Sequence, residues 1–249
     1  MRRSFLFATP LFLAATLSVQ GLGLDDFQVV TKQTFVTDYI FRGVKETGSA
    51  IQTEAEVSVN DRHLWGSGNG TVYLGGWANL PVKQEDGDNQ IQGYVGYDWS
   101  PPQTDKVSFD LGLTVYWHPD GADTAGNRTH EGYLGVVFRE FGIHGVSAGG
   151  YLIHDTDLKT TTALPFVNFR TDLANLGQPR VTFEFDAYTG FTSGRKGSES
   201  YNYYGVKAGL GYDINEVAGV GVGMGYEDNK GTSRRGNNLF GEASISLGF

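Results

Sequence analysis

The chain has 249 residues, a formal net charge of −9 at pH 7 and no cysteine. The acidic balance argues against nucleic-acid binding, which depends on basic surfaces. The absence of cysteine excludes disulfides, so stability must come from closed backbone hydrogen bonding and packing.

The N-terminus has the features of a secretory signal peptide. Arg2 and Arg3 precede an apolar run from Phe5 to Val19, which is shorter than the ~20 apolar residues of a membrane-spanning helix. We therefore predict a cleaved signal peptide over residues 1–23 and a single domain over residues 24–249. A retained anchor helix is the alternative, and Pro10 disfavours it.

Twelve segments of alternating apolar and polar residues follow, each close to the ~9–11 residues of a tilted membrane β-strand. They cover residues 29–42, 50–60, 69–80, 90–99, 106–117, 131–139, 143–154, 160–169, 180–191, 201–213, 218–227 and 238–249. An even strand number places both termini on the periplasmic side of a bacterial barrel. The pattern predicts an all-β fold, an antiparallel up-and-down transmembrane β-barrel of about 12 strands.

The alternation also assigns a face to each side chain, because successive residues of a strand point to opposite sides. In the segment 180–191, Val181, Phe183 and Phe185 point outward to lipid, and Glu184 and Asp186 point inward. The same parity predicts a set of charged lumen-lining residues. These are Asp38, Arg42, Glu54, Glu56, Asp110, Glu131, Arg139, Arg180, Glu184, Asp186, Lys207, Glu227 and Glu242.

Charges at membrane depth are tolerated where the lumen is wet or where they pair with one another. Two interpretations therefore stay open: a hydrated pore with an acidic bias, or a plugged interior held by ion pairs. The connection lengths predict that Asp110 lies opposite Arg139 and Glu184 opposite Lys207. Arg42 is expected near Glu54 across the first hairpin.

Aromatic residues cluster near the strand ends, where amphipathic rings suit the headgroup level of a bilayer. We expect residues such as Tyr39, Phe41 and Tyr116 to form interfacial girdles.

Few residues of the sequence could serve as the catalytic groups of an enzyme. His144 and Ser147 are the nearest approach to a nucleophile and its base, but they differ in parity and point to opposite faces of one strand. His118 and His130 bracket a loop without a diagnostic metal-ligand spacing. We predict no catalytic residue, no metal site and no cofactor.

Two motifs carry a family resemblance. Residues 37–43 (TDYIFRG), followed by Lys45-Glu46-Thr47 and Ala50-Ile51-Gln52, resemble the N-terminal motif of the bacterial TorF-type putative porins. Residues 71–79 (TVYLGGWAN) resemble the second recurring motif of that family. The resemblance implies an outer-membrane barrel of porin type. The last strand, ending on Phe249, resembles the terminal signal that the barrel assembly machinery reads.

These observations predict a passive outer-membrane channel of a Gram-negative bacterium for small hydrophilic solutes or ions, with a weak cation preference and no covalent chemistry. Its expected partners are membrane lipid, lipopolysaccharide and the barrel assembly machinery, and not nucleic acid. The alternative is a non-conducting plugged barrel whose loops act in adhesion or lipopolysaccharide contact. Arg195, Lys196, Lys230, Arg234 and Arg235 in the late outer loops suggest it. A lipid-modifying enzyme is the third possibility, and the absence of a Ser–His pair on one face of a strand in this sequence argues against it.

Overall fold

The computed structural model of the protein describes residues 26–62, 69–83, 87, 89–104, 106–119, 127–194, 200–230 and 238–249. The predicted signal peptide lies outside these residues. Among them, no helix has the length and hydropathy needed to cross a membrane.

The described residues are almost entirely β-strand. The strands are β1 (Phe27–Val36), β2 (Tyr39–Phe41), β3 (Val44–Thr47), β4 (Ala50–Asn60), β5 (Gly70–Pro81), β6 (Gln90–Trp99), β7 (Val107–Trp117), β8 (Arg128–Phe138), β9 (Val146–Asp155), β10 (Thr160–Leu173), β11 (Gln178–Ser193), β12 (Tyr201–Asp213), β13 (Ala218–Lys230) and β14 (Asn238–Gly248). A 3-10 turn, Ala174–Leu176, connects β10 to β11.

Twelve of the strands close into one antiparallel barrel, in the order β1, β4, β5 and so on to β14, which pairs back with β1. The closing seam runs from Val30 opposite Gly248 to Val36 opposite Glu242. Phe249 extends it, because its backbone exchanges hydrogen bonds of 2.9 and 2.8 Å with Val29. A closed sheet has no unpaired edge, which is the requirement for spanning lipid with strands. The predicted twelve-stranded barrel is confirmed.

Side chains alternate between an apolar outer surface and a polar inner one. On β7, Leu111 and Leu113 are 50% and 61% exposed on the outer surface, whereas Ser108 and Asp110 on the other face are buried. Large apolar side chains left exposed over a whole surface are costly in water and favourable in lipid.

The prediction of a continuous first strand over residues 29–42 is wrong. Strand β1 ends at Val36, and β2 and β3 pair only with each other as a separate two-stranded hairpin. Its turn is formed by Arg42 (φ 53°) and Gly43 (φ 76°). Two successive residues with positive φ are the feature of a type I′ turn, which matches the twist of a tight hairpin.

The predicted registers are also wrong. Asp110 lies opposite Gly135, four residues from the expected Arg139. Glu184 lies opposite Gly209, two residues from the expected Lys207. Both shifts are even, so no side chain changes face. The physical reason is that alternation determines which face a side chain is on but not the register between neighbouring strands. The register depends on the lengths and conformations of the loops.

Candidate functional site

The outer end of the barrel holds an inward hairpin, by which we mean residues 37–49. Tyr39 packs against Trp77 of β5 with ring centroids 5.2 Å apart, and its hydroxyl donates to Gln90 of β6 at 3.0 Å. Gly43, at the hairpin tip, donates its backbone N–H to Glu227 of β13 at 3.1 Å. Strands β5 and β6 lie across the barrel from β13, so the inward hairpin crosses the lumen.

A bidentate ion pair fixes this hairpin to the wall. Both terminal nitrogens of Arg42 donate to the two carboxylate oxygens of Glu131 on β8, each at 2.7 Å. The two side chains are 14% and 5% exposed. A buried, fork-shaped contact of this kind is among the stronger polar interactions in proteins and is costly to break on one side.

The predicted neighbourhood of Arg42 and Glu54 is therefore wrong. Glu54 instead lies opposite Lys32 of β1 and Trp77 of β5. Asp38 contacts Lys45 within the hairpin, where the side chain of Lys45 is half exposed.

Aromatic rings, all but one of them tyrosines, lie over glycines in the lumen wall. Each ring belongs to a residue directly opposite the glycine on the neighbouring strand. In the part of the chain that the structure describes, these pairs are Tyr73–Gly96, Tyr94–Gly75, Tyr133–Gly112, Tyr151–Gly135, Tyr188–Gly205, Tyr203–Gly190 and Phe240–Gly225. A Cβ added at any of these glycines would lie 2.0–2.4 Å from the nearest side-chain atom of its aromatic partner. The glycines let the rings lie along the wall instead of projecting across the lumen.

Carboxylates accept hydrogen bonds from several of these rings. Asp110 accepts from Tyr73 at 2.5 Å and from Tyr151 at 3.2 Å. Glu56 accepts from Tyr94 at 3.0 Å. Tyrosine hydroxyls thereby hold acidic groups against the wall in defined positions, two strands away from the backbone that carries each ring.

The same arrangement recurs at the outer end, where Tyr188 donates to Glu227. Further along the wall, the Asn168 side chain donates to Asp186, which lies directly opposite Lys207.

Other charged residues of the lumen form direct ion pairs. Lys207 contacts Glu242 at 2.7 Å, and Arg170 contacts Glu184 at 2.8 Å. Arg180 donates to the backbone oxygen of Ile214 at 3.2 Å near the other end of the barrel.

Arg139 has a different environment from the one predicted. It donates to Ser108 at 3.2 Å and lies 3.9 Å from Asp98. Of the predicted residues, the structure thus brings together Arg42 with Glu131 and Lys207 with Glu242, but not Asp110 with Arg139.

Sequence reasoning missed several of these residues. Arg170 was excluded because the predicted strand stopped at residue 169, whereas β10 continues to Leu173. Asp98 has inward parity on β6 and was detectable by alternation alone. Tyr39, Phe41 and Tyr116 were predicted to form an interfacial girdle, but Tyr39 contacts Trp77, and Phe41 packs on Tyr116 with ring centroids 5.8 Å apart.

The outer rim beyond β9 carries a carboxylate with a shifted pKa. Hydrogen bonds from the side chain and the backbone N–H of His130, at 2.9 and 2.8 Å, lower the pKa of Asp157 below its ordinary value. The described residues include no group of three or more His, Cys, Asp or Glu side chains that could hold a metal ion.

Comparisons with known proteins identify a family for the chain and solved structures with a similar fold. The model of a family described as a bacterial protein of unknown function (Gcw_chp) matches residues 25–243. No curated protein sequence matches the chain.

Three solved structures illustrate the likeness. The KdgM porin has a TM-score of 0.53 at 10% sequence identity, covering 89% of this chain and 99% of that one. The KdgM porin in complex with disordered oligogalacturonate has a TM-score of 0.52 at 10% identity and the same coverage. A bacterial polysaccharide outer membrane secretin has a TM-score of 0.53 at 12% identity, covering 93% and 100%. Identities this low establish a shared barrel fold and no more.

Proposed function

Since the chain belongs to the Gcw_chp family and folds as a closed barrel like outer-membrane porins, we propose that it is a porin-like channel. It resides in the outer membrane of a Gram-negative bacterium, surrounded by lipid and lipopolysaccharide. Small hydrophilic solutes or ions cross it by passive diffusion, with a weak cation preference and without covalent chemistry. The functional domain is residues 24–249, after removal of a signal peptide over residues 1–23. The resemblance to TorF-type putative porins points to the same class.

The observation that carries this proposal is the polar inner face of a barrel wide enough to hold water. Twelve strands ~4.8 Å apart, tilted by ~40°, close into a cylinder roughly 23 Å across between backbones. Rings that lie flat over glycines, such as Tyr133 over Gly112, take up less of this width than rings pointing at the axis. A continuous polar path is therefore compatible with the side chains of the wall.

The cation preference follows from the charges on that face. The predicted lumen-lining set contains nine acids and four bases. Because low-dielectric walls focus the field of such charges on the lumen, cations are attracted and anions repelled.

A second candidate function is favoured by the inward hairpin. Its Arg42–Glu131 ion pair and its contacts on both sides of the lumen suit a plugged barrel. In that case the outer loops, rather than a pore, make the functional contacts. Of the basic loop residues predicted for this role, Lys230 ends β13, and Arg195, Lys196, Arg234 and Arg235 lie outside the described residues.

Ion selectivity tests the channel proposal. The quadruple variant Glu54→Gln, Glu56→Gln, Glu184→Gln, Asp186→Asn is expected to shift the reversal potential in a salt gradient toward anions, because it removes negative charge from the lumen. Planar-bilayer recording of folded protein measures the shift, which should shrink at ~1 M salt, where the Debye length is ~3 Å. The matched control is Glu140→Gln with Glu216→Gln, in turns outside the strands, and it should leave selectivity unchanged.

Two results would count against the channel. A folded barrel that never conducts favours the plugged alternative. Selectivity that does not respond to the quadruple change removes the role assigned to these four acids.

We propose that Phe249 serves as the assembly signal. Its ring is 69% exposed at the end of the closing seam, available to a partner. Deleting it is expected to lower the amount of protein in the outer membrane while export to the periplasm continues, because the seam also loses the two hydrogen bonds with Val29. Fractionation and surface labelling measure the effect, with Phe249→Tyr as the control that keeps an aromatic end. Full surface levels of the truncated chain would contradict the proposal.

A further inference from the structure

One side of the lumen carries a continuous aromatic surface, which we call the aromatic wall: Tyr73, Tyr94, Tyr133, Tyr151 and Phe166. The rings of Tyr73 and Tyr94 are 6.0 Å apart, and the hydroxyls of Tyr73 and Tyr133 are 2.6 Å apart. Tyr151 lies 6.2 Å from Tyr133 and stacks on Phe166 at 5.9 Å. The wall thus extends from β5 to β10. Tyr73 and Phe166 are buried within it, at 3% and 7% exposed, whereas Tyr94, Tyr133 and Tyr151 are partly exposed.

The opposite side of the barrel is lined by small residues. In a ring of twelve strands, a strand faces the one six positions away, so β7 faces β13 and β8 faces β14. The inward positions there are Gly221 and Gly223 on β13 and Ser244 and Ser246 on β14, which we call the small wall. A side chain added at Gly221 would meet only the Ser244 hydroxyl and backbone. The small wall therefore projects little toward Tyr133, which sits near the middle of β8.

Carboxylates border the space between the two walls on both sides. Glu56 and Asp110 are held at the aromatic wall by the hydroxyls of Tyr94 and Tyr73. Glu242 stands beside the small wall, where it contacts Lys207. Glu56 and Asp110 are each 7% exposed, so a solute between the two walls meets the partly exposed rings and the negative field of these carboxylates rather than the carboxylates themselves.

We propose that the lumen binds short saccharides that carry no acidic group; the proposal rests on the channel function above. Sugar rings present a face of C–H groups, and the partial positive charge of these hydrogens is attracted to the negative face of an aromatic ring. A chain of several sugar rings matches the partly exposed rings of Tyr94, Tyr133 and Tyr151, which extend from β6 to β9. An acidic saccharide meets the same rings but is repelled by the carboxylates.

The test is calorimetric titration of the folded full-length barrel in detergent with two trisaccharides of equal ring number. Maltotriose is neutral and is expected to bind saturably. Trigalacturonate carries a carboxylate on each ring and is expected to bind at least tenfold more weakly. The double variant Glu56→Gln, Asp110→Asn should narrow that difference, because it removes the repulsion.

A variant of the wall itself gives the second readout. Tyr133→Leu is expected to weaken maltotriose binding about threefold to tenfold, the range that one lost aromatic contact implies. Tyr212→Leu, on the lipid-facing surface of β12, is the matched control and should bind normally. Should Tyr133→Leu not fold, Ser244→Trp fills the facing space from the small wall and is expected to abolish binding.

The outcomes separate this inference from the channel proposal. Binding without conductance keeps the inference and overturns the channel. Conductance without maltotriose binding overturns the inference alone. Three further results would also overturn the inference. They are an affinity for trigalacturonate equal to that for maltotriose, competition by tetramethylammonium as strong as that by a trisaccharide, and maltotriose binding that neither Tyr133→Leu nor Ser244→Trp disturbs.

Discussion

Replacing Arg42 with methionine is expected to raise the single-channel conductance of the barrel several-fold. The change leaves the Glu131 carboxylate, which is 5% exposed, without its bidentate partner. Removing one member of a buried ion pair costs about 3–5 kcal/mol. The cost falls on the docking of the inward hairpin rather than on the barrel, whose ladder of strands does not include β2 or β3. The hairpin should therefore leave the lumen for a larger fraction of the time, and planar-bilayer recording measures this.

Lys45→Met is the matched control for this experiment. It also removes a cation from the hairpin, but Lys45 is half exposed and its contact with Asp38 is a surface ion pair, which typically contributes ~0–1 kcal/mol. Conductance should stay close to that of the unmodified protein. An Arg42→Met channel that conducts no better than the Lys45→Met channel would show that the hairpin does not restrict the pore.

Gly190→Ala is expected to reduce the fraction of folded barrel sharply, although it adds only one methyl group. The new Cβ would lie 2.0 Å from the ring of Tyr203, which is 1% exposed and has no space to move. On its other side, Tyr203 is in close contact with Gly43 of the inward hairpin. Overpacking of this kind costs about 1–3 kcal/mol or more. The difference in mobility between unheated and boiled samples in detergent gels measures the folded fraction.

Gly93→Ala provides the comparison, because nothing lies within 4 Å of a Cβ at that glycine. It should fold like the unmodified chain. The double variant Gly190→Ala, Tyr203→Leu should recover much of the folded fraction, since two residues in contact do not act additively. A fully folded Gly190→Ala barrel would refute the requirement for glycine under the ring.

Alternation of residue types was enough to predict the barrel and the face of each strand. It works because a membrane barrel places one face of every strand in lipid. A polar side chain on that face is costly at every position of the strand, so the sequence must alternate along its whole length. Alternation does not report how far one strand slides along the next. For that reason Asp110 and Glu184 were placed on the correct side of their strands but opposite the wrong partners.

The inward hairpin was missed for a different reason. Residues 37–42 continue the β-favouring composition of β1, and nothing in that composition distinguishes a strand of the barrel from a strand of a hairpin. The available signal was Arg42-Gly43, the turn pair. It is weak because type I′ turns favour Asn-Gly or Asp-Gly, and an arginine with positive φ is uncommon there.

The rings of the aromatic wall could not be placed by sequence either. Which glycine lies beneath which tyrosine depends on the register, as in the pairing of Tyr133 with Gly112. The sequence shows that inward glycines and inward tyrosines recur on the same strands. It does not show which tyrosine contacts which glycine on the neighbouring strand.

The inward hairpin also sets an order of events during biogenesis. It is the first outer loop to be synthesised, yet three of its partners are 89 residues away at Glu131, 184 away at Glu227 and 195 away at Asn238. Contacts of such sequence separation form late, because the intervening chain must first be arranged. The complete set of hairpin contacts can therefore form only once β13 and β14 are in place, and before that the hairpin has only its contacts with earlier strands, such as those with β5 and β6. A chain arrested before β12 lacks the contacts of the hairpin tip with Tyr203 and Glu227, so the hairpin is held at one side of the lumen only.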